Sequence, residues 1–151
     1  MSAIQWSLVS FEELSPAQLY DLLKLRSEVF VVEQQCIFLD MDDKDSHCYH
    51  LMGWQADKLV AYTRLVPPGI SYEQASIGRV VTSPAVRRTG IGRELMERSI
   101  EAAKKLFKAN ILVIGAQLYL EKFYGSLGFY KSSEVYLEDG IEHIEMTLKL
   151  S

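Results

Sequence analysis

The residues between positions 77 and 95 have the types and the spacing of a site that binds an anion. An apolar, β-branched run ends at Thr82, and Arg87-x-x-Gly90-x-Gly92 follows just before a pattern typical of a helix. The first backbone N–H groups of a helix have no intrahelical partner and lie at the positive end of its dipole. Glycine lets such a backbone approach a phosphate closely. The segment therefore predicts a strand, a tight turn and a helix N-terminus that hold a phosphorylated ligand.

Two common phosphate-binding motifs do not fit this spacing. The chain contains no Gly-x-x-x-x-Gly-Lys-Ser/Thr run, and the dinucleotide fingerprint requires a third glycine where Leu95 stands. The alternatives that remain are a different phosphate-binding turn and an ordinary strand-to-helix connection whose glycines only make it tight.

A second segment, residues 111–129, joins an apolar strand to a short helix. The strand runs from Ile111 to Ile114, and the helical pattern contains Phe123-Tyr124. Gly128 is typical of a helix C-terminal cap. Taken alone, Tyr124 could be a half-buried aromatic residue on an amphipathic helix.

Together the two segments resemble the signature motifs of the GNAT superfamily of N-acetyltransferases. Arg87-x-x-Gly90-x-Gly92, preceded by Val81-x-x-Pro84, is similar to the acyl-CoA signature, and Phe123-Tyr124-x-x-x-Gly128-Phe129 is similar to the second hallmark. Further segments extend the resemblance over nearly the whole chain, to the small bacterial ElaA-type branch. They are Arg26-x-x-Val29-Phe30-Val31-Val32-Glu33-Gln34, the acidic stretch 40–45, residues 50–54 and residues 138–146.

The resemblance implies which residues would meet acetyl-CoA, the cosubstrate of that family. The backbone of Val80 to Thr82 would contact the pantetheine arm, and the amides of Arg88 to Arg93 would hold the pyrophosphate. A backbone N–H near Val81 would stabilise the oxyanion, and Tyr124 would protonate the departing CoA thiolate as the general acid. Gln117 stands where many members carry asparagine. The expected cosubstrate-binding residues are Val80, Val81, Thr82, Arg87, Arg88, Thr89, Gly90, Ile91, Gly92, Arg93 and Gln117, and no metal site is expected.

Acetylation of an amine at neutral pH also needs a group that removes a proton from the ammonium form of the acceptor. Glu33 is the first candidate, and a solvated surface glutamate is the alternative. His50 and His143 are further candidates, although a single histidine on a strand is more often a hydrogen-bonded structural residue.

The same residues are expected to bound the acceptor pocket, together with Arg79. That arginine could pair with Glu33, bind an acidic acceptor or brace the sheet. The aspartates of residues 40–45 are expected to add negative charge nearby, which favours a cationic acceptor.

A mixed α/β fold is expected to position these residues. Strands are predicted near 4–9, 48–55, 59–66, 75–82, 111–116, 130–137 and 142–149. Helices are predicted from Ser15-Pro16, where Ser15 and Gln18 have the spacing of a capping box, from the glycine turn to about Phe107, and around Tyr124. The Asp139-Gly140 turn between the last two strands predicts a hairpin. The resemblance implies the GNAT acyltransferase fold, in which helices flank a central twisted mixed sheet (an α+β arrangement) that splays at the CoA site, between the strands before Val81 and before Ala116.

Composition restricts the class of protein. The 151 residues contain no repeat, which predicts a single domain over residues 1–151. The net charge is −4 and no long basic tract occurs, so no nucleic acid partner is expected. No basic-plus-apolar leader and no apolar run of membrane-spanning length occurs, so a cytoplasmic protein without a membrane partner is expected. A homodimer is left open.

Cysteine and aspartate patterns do not predict a metal site. Cys36 and Cys48 are too few for a disulfide scaffold, and their spacing to the histidines matches no closed zinc site. The stretch 40–45 lacks the glycine and the glutamate of a calcium-binding loop, since Asp45 and Leu51 stand at those positions.

The expected function is transfer of an acetyl group from acetyl-CoA to a primary amine of a small molecule, peptide or protein. One alternative is an acyltransferase related to acyl-homoserine-lactone synthases, but those chains are longer and carry a tryptophan soon after the phenylalanine that corresponds to Phe30. Here the next tryptophan is Trp54. The other alternative is a non-catalytic acyl-CoA-binding regulatory module, which would have no use for the acid Tyr124.

Overall fold

The computed structural model describes residues 3–150 and forms eight strands and three α-helices within that range. The strands are β1 (Ile4–Ser10), β2 (Tyr49–Gln55), β3 (Lys58–Val66), β4 (Ser76–Thr82), β5 (Ile111–Gln117), β6 (Tyr130–Lys131), β7 (Tyr136–Glu138) and β8 (Ile141–Lys149). The helices are α1 (Pro16–Arg26), α2 (Ile91–Phe107) and α3 (Glu121–Gly125). The order of elements agrees with the predicted order except near the C-terminus.

Helix α1 begins where local chemistry predicts. The Ser15 side chain accepts a hydrogen bond from the Gln18 amide at 3.1 Å, and Gln18 Oε1 accepts one from the Ser15 amide at 2.9 Å. Pro16 occupies the first helical position, where no N–H is needed. This capping box was predicted from the sequence and is confirmed.

The helix continues beyond α1 in a wider form. Ser27–Glu33 is a π-helical segment, and the Gln34 amide donates to the Val29 carbonyl oxygen, five residues earlier, at 3.2 Å. Wider turns change the angle between successive side chains. As a result Val29, Phe30, Glu33 and Gln34 all line one groove.

The strands form two antiparallel sheets instead of one continuous sheet. The first has the order β1-β2-β3-β4, and in the second β8 pairs with β5, β6 and β7. Strands β4 and β5 are parallel neighbours that meet at one bridge, where the Val113 amide donates to the Ala75 carbonyl oxygen at 3.1 Å. In the part of the chain that the structure describes, no ladder joins them beyond that bridge. The predicted splay between these strands is therefore confirmed.

Helices α1 and α2 cover opposite faces of the first sheet. Leu22 and Leu25 of α1 pack with Met52 and Tyr62. Leu95 of α2 packs with Leu51 and Ala61, which directly precede those two residues on the same strands. Because side chains alternate across a strand, each strand contributes to both layers. This packing fixes β4, whose C-terminal end leads into α2.

The C-terminal region differs from the predicted pair of strands. The predicted strand near 130–137 is two short strands, because the Ser133 hydroxyl accepts a hydrogen bond from the Glu145 amide at 2.8 Å in place of a backbone partner. The hairpin predicted at Asp139-Gly140 is confirmed, since both residues have positive φ, +51° and +78°.

Candidate active site

The turn before α2 presents an open stretch of backbone. Arg88 and Gly90 have φ of +65° and +85°, and Gly90 is the N-cap of α2. A Cβ atom added at Gly90 or Gly92 would meet no heavy atom within 4 Å. The backbone here is therefore accessible at the positive end of a 17-residue helix. The predicted strand, turn and helix N-terminus are all present.

A groove of about 600 Å³ lies beside this turn. One wall is the end of β4 with Val80, Val81 and Thr82, and the other contains Gln117 and Tyr124. Arg87, Arg88 and Gly92 close one end. The space between the splayed strands thus leads directly to the glycine turn.

A smaller cavity of about 120 Å³ continues from the groove on the other side of Tyr124. It lies between Ile77–Val80 of β4 and Ile114–Gln117 of β5, and its mouth carries Glu138 and Asp139 of the β7–β8 turn. Six residues line both spaces: Phe30, Gln34, Val80, Gln117, Leu120 and Tyr124. Tyr124 is therefore one of the residues that the groove and the smaller cavity share.

Tyr124 is 5% exposed and packs edge-on against Phe123 and Phe129, with ring centroids 5.2 and 5.9 Å away. Among the described residues its hydroxyl has no hydrogen-bond partner. Burial raises the pKa of Tyr124, so the phenol keeps its proton at neutral pH. Tyr124 thus presents a protonated phenol where the two spaces join.

A bulge in β4 turns the backbone toward the cavity. Tyr62 of β3 pairs with Val81 and Arg64 pairs with Gly78, so two residues of β4, Arg79 and Val80, oppose one residue of β3. Arg79 has a φ of +49°, which is unusual for a residue with a side chain. The bulge interrupts the ladder where β4 lines both the groove and the cavity.

The structure places Glu33 in the lining of the larger groove and not in the smaller cavity. Its carboxylate binds the Arg87 guanidinium with two hydrogen bonds of 2.5 and 2.8 Å. Hydrogen bonding to Arg87 lowers the pKa of Glu33, which makes it a weaker base. The expectation that Glu33 borders the acceptor pocket stays a prediction, whereas the suggested pairing of Arg79 with Glu33 is wrong, since Arg79 binds Asp40.

His50 is completely buried and does not reach either space, contrary to expectation. Its Nδ1 lies 2.6 Å from the Tyr62 hydroxyl and its Nε2 lies 2.9 Å from the Asp45 carbonyl oxygen. Burial lowers the pKa of His50. It is a structural residue that joins β2 to β3 and to the loop before β2.

The buried His50 should make stability depend on pH. With its pKa lowered, its contribution to stability is complete above the unfolded pKa of about 6.5 and is lost as pH falls through that value. Between about pH 7.5 and about pH 5.5, the free energy of unfolding should decrease by up to about 1.4 kcal/mol per pH unit. Urea unfolding measures this decrease, which should shrink in His50→Gln and persist in the exposed control His47→Gln. An equal decrease in both variants would contradict the assignment.

Three of the four aspartates in residues 40–45 are paired with arginines. Arg26, which is completely buried, donates to Asp40 and Asp45 at 2.8 Å each. Arg64 donates to Asp45 at 3.0 Å and to Asp42 at 2.5 Å. The acidic stretch therefore fastens its loop to α1 and β3, and the expectation that it supplies negative charge to the acceptor pocket is corrected.

Arg79 belongs to the same network. Its Nε donates to Asp40 Oδ1 at 2.8 Å, and its guanidinium also contacts the Asp40 carbonyl oxygen at 2.7 Å. The residue lines the smaller cavity, as expected, but its charge is already paired. Of the uses considered for Arg79, bracing the sheet and loop is the one that the contacts support.

His143 lies in the smaller cavity with Tyr124. It occupies β8 opposite Gln117 of β5, and its ring stacks on Tyr136 with centroids 5.8 Å apart. Its Nδ1 lies 2.8 Å from the Ile141 carbonyl oxygen, and its Nε2 lies 3.6 Å from a Glu138 carboxylate oxygen.

Phe38 was not singled out in the sequence, and Cys36 was considered only for a disulfide or a zinc site; both come from the loop that follows the π-helical segment. Glu138, the last residue of β7, and Asp139 of the β7–β8 turn also line the cavity. The Cys36 thiol lies 3.2 Å from the Asp139 carbonyl oxygen, which ties the two segments together. The predicted Asp139-Gly140 hairpin and the resemblance of residues 138–146 gave no indication of which end of the sheet this turn would border.

Two other kinds of site are absent from residues 3–150. No group of three or more histidine, cysteine, aspartate or glutamate side chains is arranged to hold a metal ion. No helix in that range is long and apolar enough to cross a membrane.

The chain matches the protein family described as acetyltransferase (GNAT) domain over residues 12–150. It is similar to the protein ElaA of Escherichia coli, with 43% identity over 145 residues that cover 95% of each chain. The crystal structure of E. coli ElaA matches with a TM-score of 0.91 at 41% identity and covers 97% of this chain and 100% of that one. An acyl-CoA N-acyltransferase from Pseudomonas aeruginosa matches with a TM-score of 0.92 at 42% identity, over 97% and 99% of the two chains.

A more distant structure has a ligand bound. It is a GNAT family acetyltransferase from Elizabethkingia anophelis with acetyl-CoA bound, which shares 19% identity and a TM-score of 0.66 over 97% and 98% of the two chains. At this identity the likeness concerns the fold alone.

Proposed function

The chain belongs to the GNAT acetyltransferase family, in its ElaA-like branch, and on that premise we propose that it transfers the acetyl group of acetyl-CoA directly to a primary amine. The observation that carries the proposal is the position of Tyr124, a buried phenol at the junction of the groove and the smaller cavity. A cosubstrate in the groove and an acceptor in the cavity would meet at this residue. The proposal is for a single-domain enzyme of the cytoplasm.

The groove has the shape and charge that acetyl-CoA requires. The amides from Arg88 to Arg93 are accessible at the N-terminus of α2 and would hold the pyrophosphate. The groove of about 600 Å³ has room for the pantetheine arm along Val80 to Thr82. The fold itself is compatible with this ligand, since the Elizabethkingia anophelis acetyltransferase of the same fold has acetyl-CoA bound.

The reacting carbonyl would lie at the bulge of β4. There Val80 has no residue of β3 paired with it, so its backbone N–H, next to Val81, would turn toward the developing oxyanion, a type of contact whose loss typically costs about 10²-fold or more in rate. Tyr124 would give its proton to the departing thiolate. Gln117, whose side-chain amide is 3.4 Å from that of Gln34, would contact the cosubstrate where the two spaces join.

Two measurements test the proposal. Calorimetry should show acetyl-CoA binding, and a thiol-specific dye should report CoA release when the protein is mixed with acetyl-CoA and a broad panel of primary amines. Binding without release for every amine would identify a non-catalytic acyl-CoA-binding module. Failure to bind acetyl-CoA would reject the proposed function altogether.

Removing the charge of Glu33 should change cosubstrate binding and not proton transfer. Because the Glu33 carboxylate occupies the Arg87 guanidinium, Glu33→Gln should free that cation for a phosphate and lower the KM for acetyl-CoA by a few-fold. The shape of the pH profile measured with the acceptor should stay that of the wild type. Glu28→Gln, an exposed glutamate of the same π-helical segment, is the matched control. If instead Glu33→Gln loses turnover at neutral pH and regains it at high pH, Glu33 is the base after all.

A further inference from the structure

We infer that His143 is the base that deprotonates the acceptor, and that the acceptor is a slender, unbranched alkylammonium ion. The inference rests on the proposed function and adds to it a named base and a class of acceptor. Three observations support it: the tautomer of His143, the charges around the smaller cavity and the size of that cavity.

The hydrogen bond of Nδ1 determines which nitrogen of His143 can accept a proton. A carbonyl oxygen only accepts, so the 2.8 Å contact with the Ile141 oxygen requires that Nδ1 carries the hydrogen. The neutral ring then has its lone pair on Nε2. Stacking on Tyr136 fixes the ring plane, and the His143 side chain is 9% exposed in a cavity that it shares with Tyr124. The His143 ring is thus held in one orientation, with the lone pair of Nε2 available as a base.

The charges around the cavity favour a cation. The charged side chains that face it are Glu138 and Asp139 from the β7–β8 turn and Arg79 from β4. Arg79 is already bound to Asp40 at 2.8 Å. The Glu138 carboxylate, 3.6 Å from His143 Nε2, is bound by no arginine or lysine among the described residues, and it would stabilise both an arriving ammonium and the imidazolium that forms. The other polar neighbours are Gln117 and the Tyr136 phenol, whose pKa is raised by burial.

The dimensions of the cavity restrict the acceptor near its nitrogen. Its volume of about 120 Å³ is one fifth of that of the groove, about 600 Å³. The walls are Ile77, Gly78, Ile114 and Gly115. A Cβ at Gly115 would approach the Tyr72 and Tyr136 hydroxyls to 2.9 Å, so no spare room exists on that side. An aminomethyl group on an unbranched chain fits, whereas a carbon bearing three alkyl groups beside the nitrogen does not.

The protons and electron pairs of the transfer balance when His143 acts as the base and Tyr124 as the acid. The ammonium gives one proton to His143 Nε2, and the freed lone pair forms the C–N bond at the thioester carbonyl. When the C–S bond breaks, the sulfur takes the electron pair and the Tyr124 proton. The remaining surplus proton on the new amide nitrogen returns to the Tyr124 oxygen, and the imidazolium releases its proton to solvent past Glu138. The products are the N-alkylacetamide, CoA thiol and one proton.

Two amines that differ in basicity separate a base from a structural histidine. n-Butylamine is almost fully protonated at neutral pH, whereas 2,2,2-trifluoroethylamine is mostly neutral. With n-butylamine, His143→Gln should lower kcat/KM at pH 7 by about 10²-fold or more and should recover as the pH rises toward the pKa of the amine. With trifluoroethylamine the same variant should stay within a few-fold of wild type. His47→Gln, an exposed histidine, is the control, and tert-butylamine should be a poor acceptor for every form.

The outcomes described next would overturn either the inference or the proposed function. Equal losses with both amines, with no recovery at high pH, would make His143 structural. Preference for branched amines, or transfer to other amines but not to n-butylamine, would overturn the acceptor class. If His143→Gln does not fold and therefore does not bind acetyl-CoA, Glu138→Gln provides the test. This variant must shift the acidic limb of the pH–rate profile for n-butylamine to lower pH. Lack of acetyl-CoA binding by the wild type would instead reject the proposed function.

Discussion

Replacing Gly92 by glutamate is expected to abolish detectable acetyl-CoA binding while leaving the fold intact. Gly92 lies in the first turn of α2, and a Cβ there meets no heavy atom within 4 Å, so the folded chain accommodates the side chain. The new carboxylate would stand where the pyrophosphate is proposed to bind. Two like charges about 5 Å apart repel by about 3 kcal/mol at an effective dielectric constant of about 20, which corresponds to a loss of about 100-fold or more in affinity.

Two variants control for the change in size and in charge. Gly92→Ala should bind acetyl-CoA within a few-fold of wild type, because it adds a methyl group without charge. Gly125→Glu adds the same carboxylate to α3, at an exposed position with equal room for a side chain, and should also bind normally. Calorimetry and thermal unfolding of all three proteins measure affinity and folding. A folded Gly92→Glu protein with wild-type affinity would move the pyrophosphate elsewhere.

Gly90 is a less informative position for this test. Its φ of +85° is costly for any residue with a side chain, so a variant there could lose binding through backbone strain alone. The sequence motif contains both glycines and does not distinguish between them. The structure assigns the left-handed conformation to Gly90 and leaves Gly92 as the position that tests ligand contact.

The elements that were predicted correctly depend on local chemistry. The Ser15–Gln18 capping box and the Asp139-Gly140 turn each involve residues a few positions apart, so their geometry follows from adjacent residue types. The same is true of the strand, turn and helix around Gly90. Each of these signals is complete within a short stretch of chain.

The acidic loop could not be interpreted in this way. Asp40 binds Arg26 and Arg79, which are 14 and 39 positions away, and these partners become neighbours only when α1 and β4 pack together. A run of aspartates therefore has the same sequence pattern whether it faces a groove or is neutralised by buried arginines. The number of arginines in the chain does not reveal which of them will be buried.

The three candidate bases show the same limit. His50 and His143 are both single histidines on strands, and only the tertiary arrangement decides that one is enclosed between β2 and β3 and the other faces the cavity. Glu33 was placed from its position after the first helix, which does not reveal its partner. In the structure it lies in a π-helical segment, and its carboxylate binds Arg87, 54 positions away.

Replacing Tyr124 by phenylalanine is expected to lower turnover by about 10²–10⁴-fold while changing the affinity for acetyl-CoA by no more than a few-fold. The substitution removes one oxygen atom and keeps the ring that packs against Phe123 and Phe129. Without the phenol, the departing thiolate must take its proton from water. Because burial raises the pKa of Tyr124, the wild-type hydroxyl should stay protonated throughout the neutral range. No loss of rate from its ionisation is therefore expected between about pH 6 and about pH 9.

The measurement is kcat for CoA release with the best acceptor of the amine panel, alongside calorimetry with acetyl-CoA. Tyr20→Phe removes a hydroxyl from a tyrosine that is 69% exposed on α1, far from the groove lining, and should keep wild-type values for both quantities. If Tyr124→Phe keeps turnover within a few-fold of wild type, water protonates the thiolate and Tyr124 serves only to shape the junction. If it loses affinity and turnover together, its hydroxyl binds the cosubstrate in the ground state, and the role of general acid is rejected.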